Sequence, residues 1–177
     1  SFSNITSIIF LGNDAAFNKY LIADGNTLKV LKIYNGFEAG NIYTMPGRGH
    51  TLGLCPGVLD TSDPDCPENP SIVYSVYRDR INGSNDRVFV WNTTGGMGVT
   101  HIRNYTLSKG SSVSYDSTND VVVVLADNRV YVTNDSFYNT SNIVSYSFSD
   151  TYGGANYGFI TSSNRYVGLF GRYFMSF

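Results

Sequence analysis

Val121-Val122-Val123-Val124-Leu125 runs through Ala126-Asp127-Asn128 into Arg129-Val130-Tyr131-Val132-Thr133, and this stretch decides the fold of the 177-residue chain. An apolar run this short, β-branched and stopped by a turn, reads as a strand buried on both faces rather than as a helix. Asp-Asn accepts the backbone angles of a tight turn, so the two segments form a hairpin whose first strand is central in its sheet.

The same pattern recurs outward along the chain. Lys19-Tyr20-Leu21-Ile22-Ala23-Asp24-Gly25 turns through Asn26 into residues 27–34. Ile72-Val73-Tyr74-Ser75-Val76-Tyr77 and Arg87-Val88-Phe89-Val90-Trp91 flank a polar turn at Asn82-Gly83-Ser84-Asn85. Residues 156–160 and 165–170 flank Thr161-Ser162-Ser163-Asn164. The four units resemble one another, as propeller blades do. Their turns fall near residues 25, 83, 127 and 163, spacings of about 58, 44 and 36. That unevenness favours an antiparallel β-barrel or β-sandwich with long polar loops, with a β-propeller or part of one as the alternative.

Composition agrees. The chain has no glutamine, two glutamates, four lysines and six alanines, against 16 Val, 11 Ile, 14 Thr, 14 Tyr and 11 Phe. Good helix formers are scarce, which predicts less than roughly 10% helix, far below the usual third. The length suits a single β domain spanning residues 1–177, and the start at Ser1 reads as a boundary within a longer protein. Net charge is −2 and only 15% of residues are charged. Basic residues are scattered, with no stripe for nucleic acid, and no apolar run has the length of a membrane span.

Chemistry-bearing patterns are few. His50 and His101 lie in unrelated segments without metal-ligand spacing, no Gly-x-Ser-x-Gly elbow occurs, and most aspartates sit in turns. Thr93-Thr94-Gly95-Gly96-Met97-Gly98 lacks the Lys-Ser/Thr and the helix of a phosphate cradle. These readings point to no enzyme, no cofactor and no metal. Asp60-Thr61-Ser62-Asp63-Pro64-Asp65 could supply oxygen ligands to calcium but lacks the glycine and distal glutamate of an EF-hand loop.

Residues 38–70 carry little strand pattern, and long irregular stretches in compact domains are usually functional or flexible. Cys55 and Cys66 bracket a segment with Pro56, Pro64, Pro67 and Pro70, and a disulfide there would contribute about 3 kcal/mol. The binding surface is therefore expected on residues 44–70, with Arg48, His50, Asp60, Asp63 and Asp65 as contacts and the Gly-rich residues 92–98 beside them. Trp91, the single tryptophan, is the best aromatic candidate for a contact, set against a place in the core. Six Asn-x-Ser/Thr sequons, at Asn4, Asn82, Asn92, Asn104, Asn134 and Asn139, are possible glycosylation sites if the chain enters a secretory pathway.

The excess of Asn, Ser, Thr, Gly and Tyr, the low Lys and Glu, the dense short strands and the polar loops at 44–70 and 92–98 resemble viral attachment domains: capsid spikes of astrovirus type, or fibre heads. The resemblance implies a β-barrel or β-sandwich head, a dimer or trimer, antibodies as further partners, and a host-cell receptor that is a protein or a glycan. No motif aligns, so no residue roles come with it. The expected function is non-enzymatic receptor binding, exposed on a virion or in the extracellular space. A secreted lectin-like or propeller protein is the alternative, and a hydrolase the third reading.

Overall fold

The structure, a computed structural model, describes residues 1–14, 17–34, 36–58, 70–93, 98–148, 155–160, 166–170 and 173–176. It is all-β. The described helical segments are two single turns of 3₁₀-helix, Gly83–Asn85 and Thr140–Asn142. Strands β1 (Ile5–Asp14), β2 (Phe17–Asp24), β3 (Thr27–Ile33) and β4 (Phe37–Thr44) form the first sheet. The second holds β5 (Gly49–Pro56), β6 (Ile72–Asp79), β7 (Arg87–Asn92) and β8 (Thr100–Thr106). The third holds β9 (Gly110–Asp116), β10 (Val121–Ala126), β11 (Arg129–Thr133) and β12 (Val144–Ser147). Strands β13 (Ala155–Ile160), β14 (Tyr166–Phe170) and β15 (Tyr173–Ser176) make the fourth.

Each sheet is an antiparallel meander whose strands follow chain order. The first strands of successive sheets are neighbours, β1 beside β5, β5 beside β9 and β9 beside β13. Consecutive meanders stacked by their first strands are the blades of a β-propeller. The alternative, a β-propeller or part of one, is thus the form this all-β chain takes, rather than the barrel or sandwich. The unevenness that argued against it has a simple origin. The turns at Gly25, Gly83 and Asp127 all join the second and third strands of their sheets, and the extra spacing between the first two comes from the long connection between β5 and β6.

Strand alternation builds the cores. In β6 and β7, Val73, Tyr77, Phe89 and Trp91 face the first sheet, where they meet Leu11, Leu21, Ala23, Leu28, Val30 and Met45. Tyr74, Val76, Val88 and Val90 point the opposite way, onto Leu107, Val122, Val124, Ala126 and Phe137. In β10, Val122 and Val124 serve that second core, while Val123 and Leu125 join Val130 in a third that Tyr166 of the fourth sheet packs against. A strand between two sheets buries both of its faces, so the nearly continuous apolar runs at 72–77 and 121–125 mark the interior strands, and the polar Ser75 within the first is matched by the Trp91 Nε1–H.

Residues 38–70 are not one irregular loop. They include most of β4 and all of β5. Strand β4 is solvent-exposed over most of its length and holds Ala39, Gly40 and Asn41, residues poor in strand propensity. Its pairing with β3 supplies the order that propensity does not.

At the start of the first sheet Asp24 is the anchor. Its carboxylate accepts from the Ser3 N–H at 2.9 Å, the Asn4 N–H at 2.5 Å and the Lys29 ammonium at 2.5 Å. Burial opposes ionisation, yet Lys29 and the two backbone donors outweigh it and hold the carboxyl well below the usual carboxylate range. The folded value lies below the unfolded one of about 3.9, so the stabilisation is complete above that pH and is lost as pH falls through the folded value. Asp24→Asn is expected to cost about 2 kcal/mol at pH 7 in urea unfolding, and the gap to the parent should shrink steadily below about pH 4. A gap that stays constant to pH 2 would contradict this role.

Candidate functional site

Strand β5 divides the predicted surface. At about 3.3 Å per residue its eight residues span roughly 25 Å. Arg48 and His50 sit at its first end, and the connection that carries Asp60, Asp63 and Asp65 leaves from the other. Those three aspartates and Cys66 lie outside the described residues. The Gly-rich connection, of which residues 94–97 are also outside, shares the far end: Thr93 donates its N–H to Ser71 O at 3.0 Å and its hydroxyl to Pro70 O. Thr93, its last described residue before that gap, is thus bonded at the end of β6 away from Arg48.

At the near end the structure forms a cleft of about 320 Å³ lined by Asn4, Gly25, Asn26, Gly47, Arg48, Gly49, His50 and Arg80. It lies across the seam between the first two sheets, built from the β2–β3 turn, the β4–β5 connection and the end of β6. Pairing of β5 with β6 sets His50 opposite Arg78 and Gly49 opposite Asp79. Arg48, Arg78 and Arg80 are exposed and His50 half-buried. Among the described residues the ion pairs are Lys29–Asp24 and Lys109–Asp127, so none of the three guanidinium groups is paired with a described carboxylate.

Two carboxylates do lie beneath them, and both are occupied by neutral donors. Asp79 accepts from the Ile81 N–H at 2.9 Å, the Asn85 side-chain amide at 2.8 Å and the Arg48 N–H at 3.4 Å. The Asn85 amide and then the Ile81 N–H hold its carboxyl below the usual range. Asp86 accepts the N–H groups of Asp79 and Lys109, each at 2.8 Å. These bonds tie the connection before β7 to the ends of β6 and β9.

The cleft floor is braced. The Tyr77 hydroxyl donates to Pro46 O at 2.7 Å and accepts the Gly49 N–H at 2.9 Å. The Asn26 amide donates to Met45 O at 3.3 Å and Gly47 O at 3.2 Å. Gly47 has φ +85°, and a Cβ there would stand 1.9 Å from Asp79 Oδ2, so both backbone and space require glycine. Arg80 Nε donates to His50 Nδ1 at 3.3 Å. With Nδ1 accepting, the ring proton sits on Nε2, a tautomer assigned from this bond. Burial, then the charges of Arg80 and Arg78, hold the imidazole below its ordinary value and keep it neutral near pH 7.

The remaining candidates fall elsewhere. Trp91 is a core residue, fully buried, not a contact. Its Nε1 donates to Ser75 Oγ at 2.8 Å and its ring stacks on Phe89 at 5.4 Å. Cys55 has a free thiol in place of the expected disulfide with Cys66. It sits within β5 and packs toward Ile72, Tyr74 and Tyr115 at the interface of the second and third sheets. Burial pushes that thiol up to about 11, so it is unreactive near neutrality. Five of the six sequon asparagines are exposed and Asn92 is half-buried. Asn82 and Asn139 use only their side-chain carbonyl in the described turns, each accepting a serine N–H at 3.1 Å.

No family model and no curated protein matches this chain. Among solved structures it is similar to the crystal structure of the WD40 β-propeller domain of Doa1, at 7% sequence identity and a TM-score of 0.38, over 93% of this chain and 75% of that one.

Proposed function

We propose that this protein is a non-enzymatic recognition domain, displayed on a virion or cell surface, whose binding site is the cleft of Arg48, His50 and Arg80. The single observation that carries this reading is the group of exposed guanidinium groups, unpaired with any described carboxylate, on a braced floor at one end of the molecule. Exposed cations on a braced floor, with no described carboxylate paired to them, suit a partner's anionic groups better than internal stabilisation, since surface ion pairs contribute little. His50 does not favour a catalytic reading, because its Nδ1 is taken up by Arg80 and a like-charged neighbour opposes its protonation. The likeness in composition to viral attachment domains supports the placement on a virion.

The test is attachment of the fluorescently labelled domain to a panel of cultured cells, with Arg48→Ala and Arg80→Ala variants shown to keep the parent melting temperature. Saturable attachment that both variants weaken is the expected result. Absence of attachment to every cell type, together with turnover of ester or glycoside substrates, would replace this reading with the hydrolase one.

A further inference from the structure

We propose that the ligand of this cleft is an anionic saccharide, a sugar bearing a carboxylate or a sulfate group; the proposal rests on the recognition reading above and names its ligand class. Arg48 and Arg80 line the cleft together with His50, Arg80 Nε bonds the imidazole, and Arg78 is the cross-strand partner of His50, so the cleft presents two planar donor forks with a third cation beside it. Guanidinium groups bind carboxylate and sulfate oxygens in pairs, which a neutral sugar or a cation cannot exploit. His50 adds a neutral Nε2–H donor beside them.

The rest of the lining decides between a sugar and a protein partner. Apart from the arginines and His50 it consists of Asn4 and Asn26, with Gly25, Gly47 and Gly49, and it holds no apolar side chain. Protein interfaces rely on aromatic or aliphatic anchors seated in dry pockets. Carboxamides and bare backbone beside glycine suit the alternating donors and acceptors of sugar hydroxyls. The cavity lies at the small end of ligand sites. Its floor is already fixed by Tyr77, Asn26 and Asp79, so little ordering remains to oppose a small polar ligand.

Three probes at matched concentration test this by titration calorimetry: 3′-sialyllactose for the carboxylate source, a heparin-derived hexasaccharide for the sulfate source, and lactose as the neutral control. At least one anionic probe should bind, lactose should not, and affinity should fall with added salt. Arg48→Ala and Arg80→Ala should each weaken binding by about tenfold or more, the loss expected for a charged hydrogen bond. Arg103→Ala, a remote arginine stacked on Tyr138, should leave it unchanged. The proposal is overturned if no probe binds, if lactose binds as well as the charged sugars, or if both cleft variants bind like the parent. Cell attachment that survives sialidase and heparinase would discard the ligand class and leave the recognition reading intact. Tight binding of a charged sugar without cell attachment would do the reverse.

Discussion

Trp91→Ala should destabilise the domain by about 4 kcal/mol in urea unfolding, out of the 5–15 kcal/mol typical of a domain. Trp91 is wholly buried in the core between the first two sheets. It stacks on Phe89 at 5.4 Å and meets Tyr43 edge-on at 5.3 Å. Its removal opens a cavity among groups held on two rigid sheets, which cannot close over it. It also leaves the buried Ser75 hydroxyl without its donor. Trp91→Phe keeps most of the apolar volume and should cost about 1–2 kcal/mol, the share of the hydrogen bond and residual space. The chain has one tryptophan, so the fluorescence of the native parent should be blue-shifted and should move to the red in a single step on unfolding. A loss below about 1 kcal/mol for the alanine variant, or a solvent-exposed emission in the native state, would contradict the core placement.

Gly49→Ala is expected to cost about 3 kcal/mol or more. A Cβ at this position would stand 2.0 Å from Arg78 O and 2.7 Å from Asp79 Cα. Both are backbone atoms of the paired strand β6, so no side chain can swing aside. The start of β5 must separate from β6, which strains the Gly49 N–H bond to the Tyr77 hydroxyl and shifts Arg48 and His50 on either side. Binding to the cleft should therefore fall together with stability. Gly53→Ala, in the same strand with no atom within 4 Å of the added carbon, is the control and should lie within about 0.5 kcal/mol of the parent. Equal melting temperatures for the two variants would refute the close approach at Gly49.

The interior strands were legible because their chemistry is unconditional. A strand such as 72–77 or 121–125, covered on both faces, is nearly continuous in apolar residues, and the turn at Asp127-Asn128 stops the second by local backbone preference. Strands β4 and β5 were hidden for the opposite reason. Phe37–Thr44 and Gly49–Pro56 hold glycine, alanine and polar residues whose extended form depends on neighbours far away in the chain. Missing them merged two separate connections, 45–48 and the one between β5 and β6, into one. The same gap hid Arg78 and Arg80 from the site. They directly follow the clearest strand, and pairing Gly49–Pro56 with it would have brought them beside His50.

Three small cores joined in series, instead of one shared core, have a consequence for how the molecule responds to force and to ligands. Among the described residues the cores lie between one sheet and the next, as in stacked repeats, so each of these seams has a stability of its own. The cleft straddles the first seam, touching Gly25 and Asn26 on one side and Arg48, His50 and Arg80 on the other. Anything that grips both sides acts there as a rivet. It would secure the first sheet to the second while leaving the seams farther along the row no tighter than before.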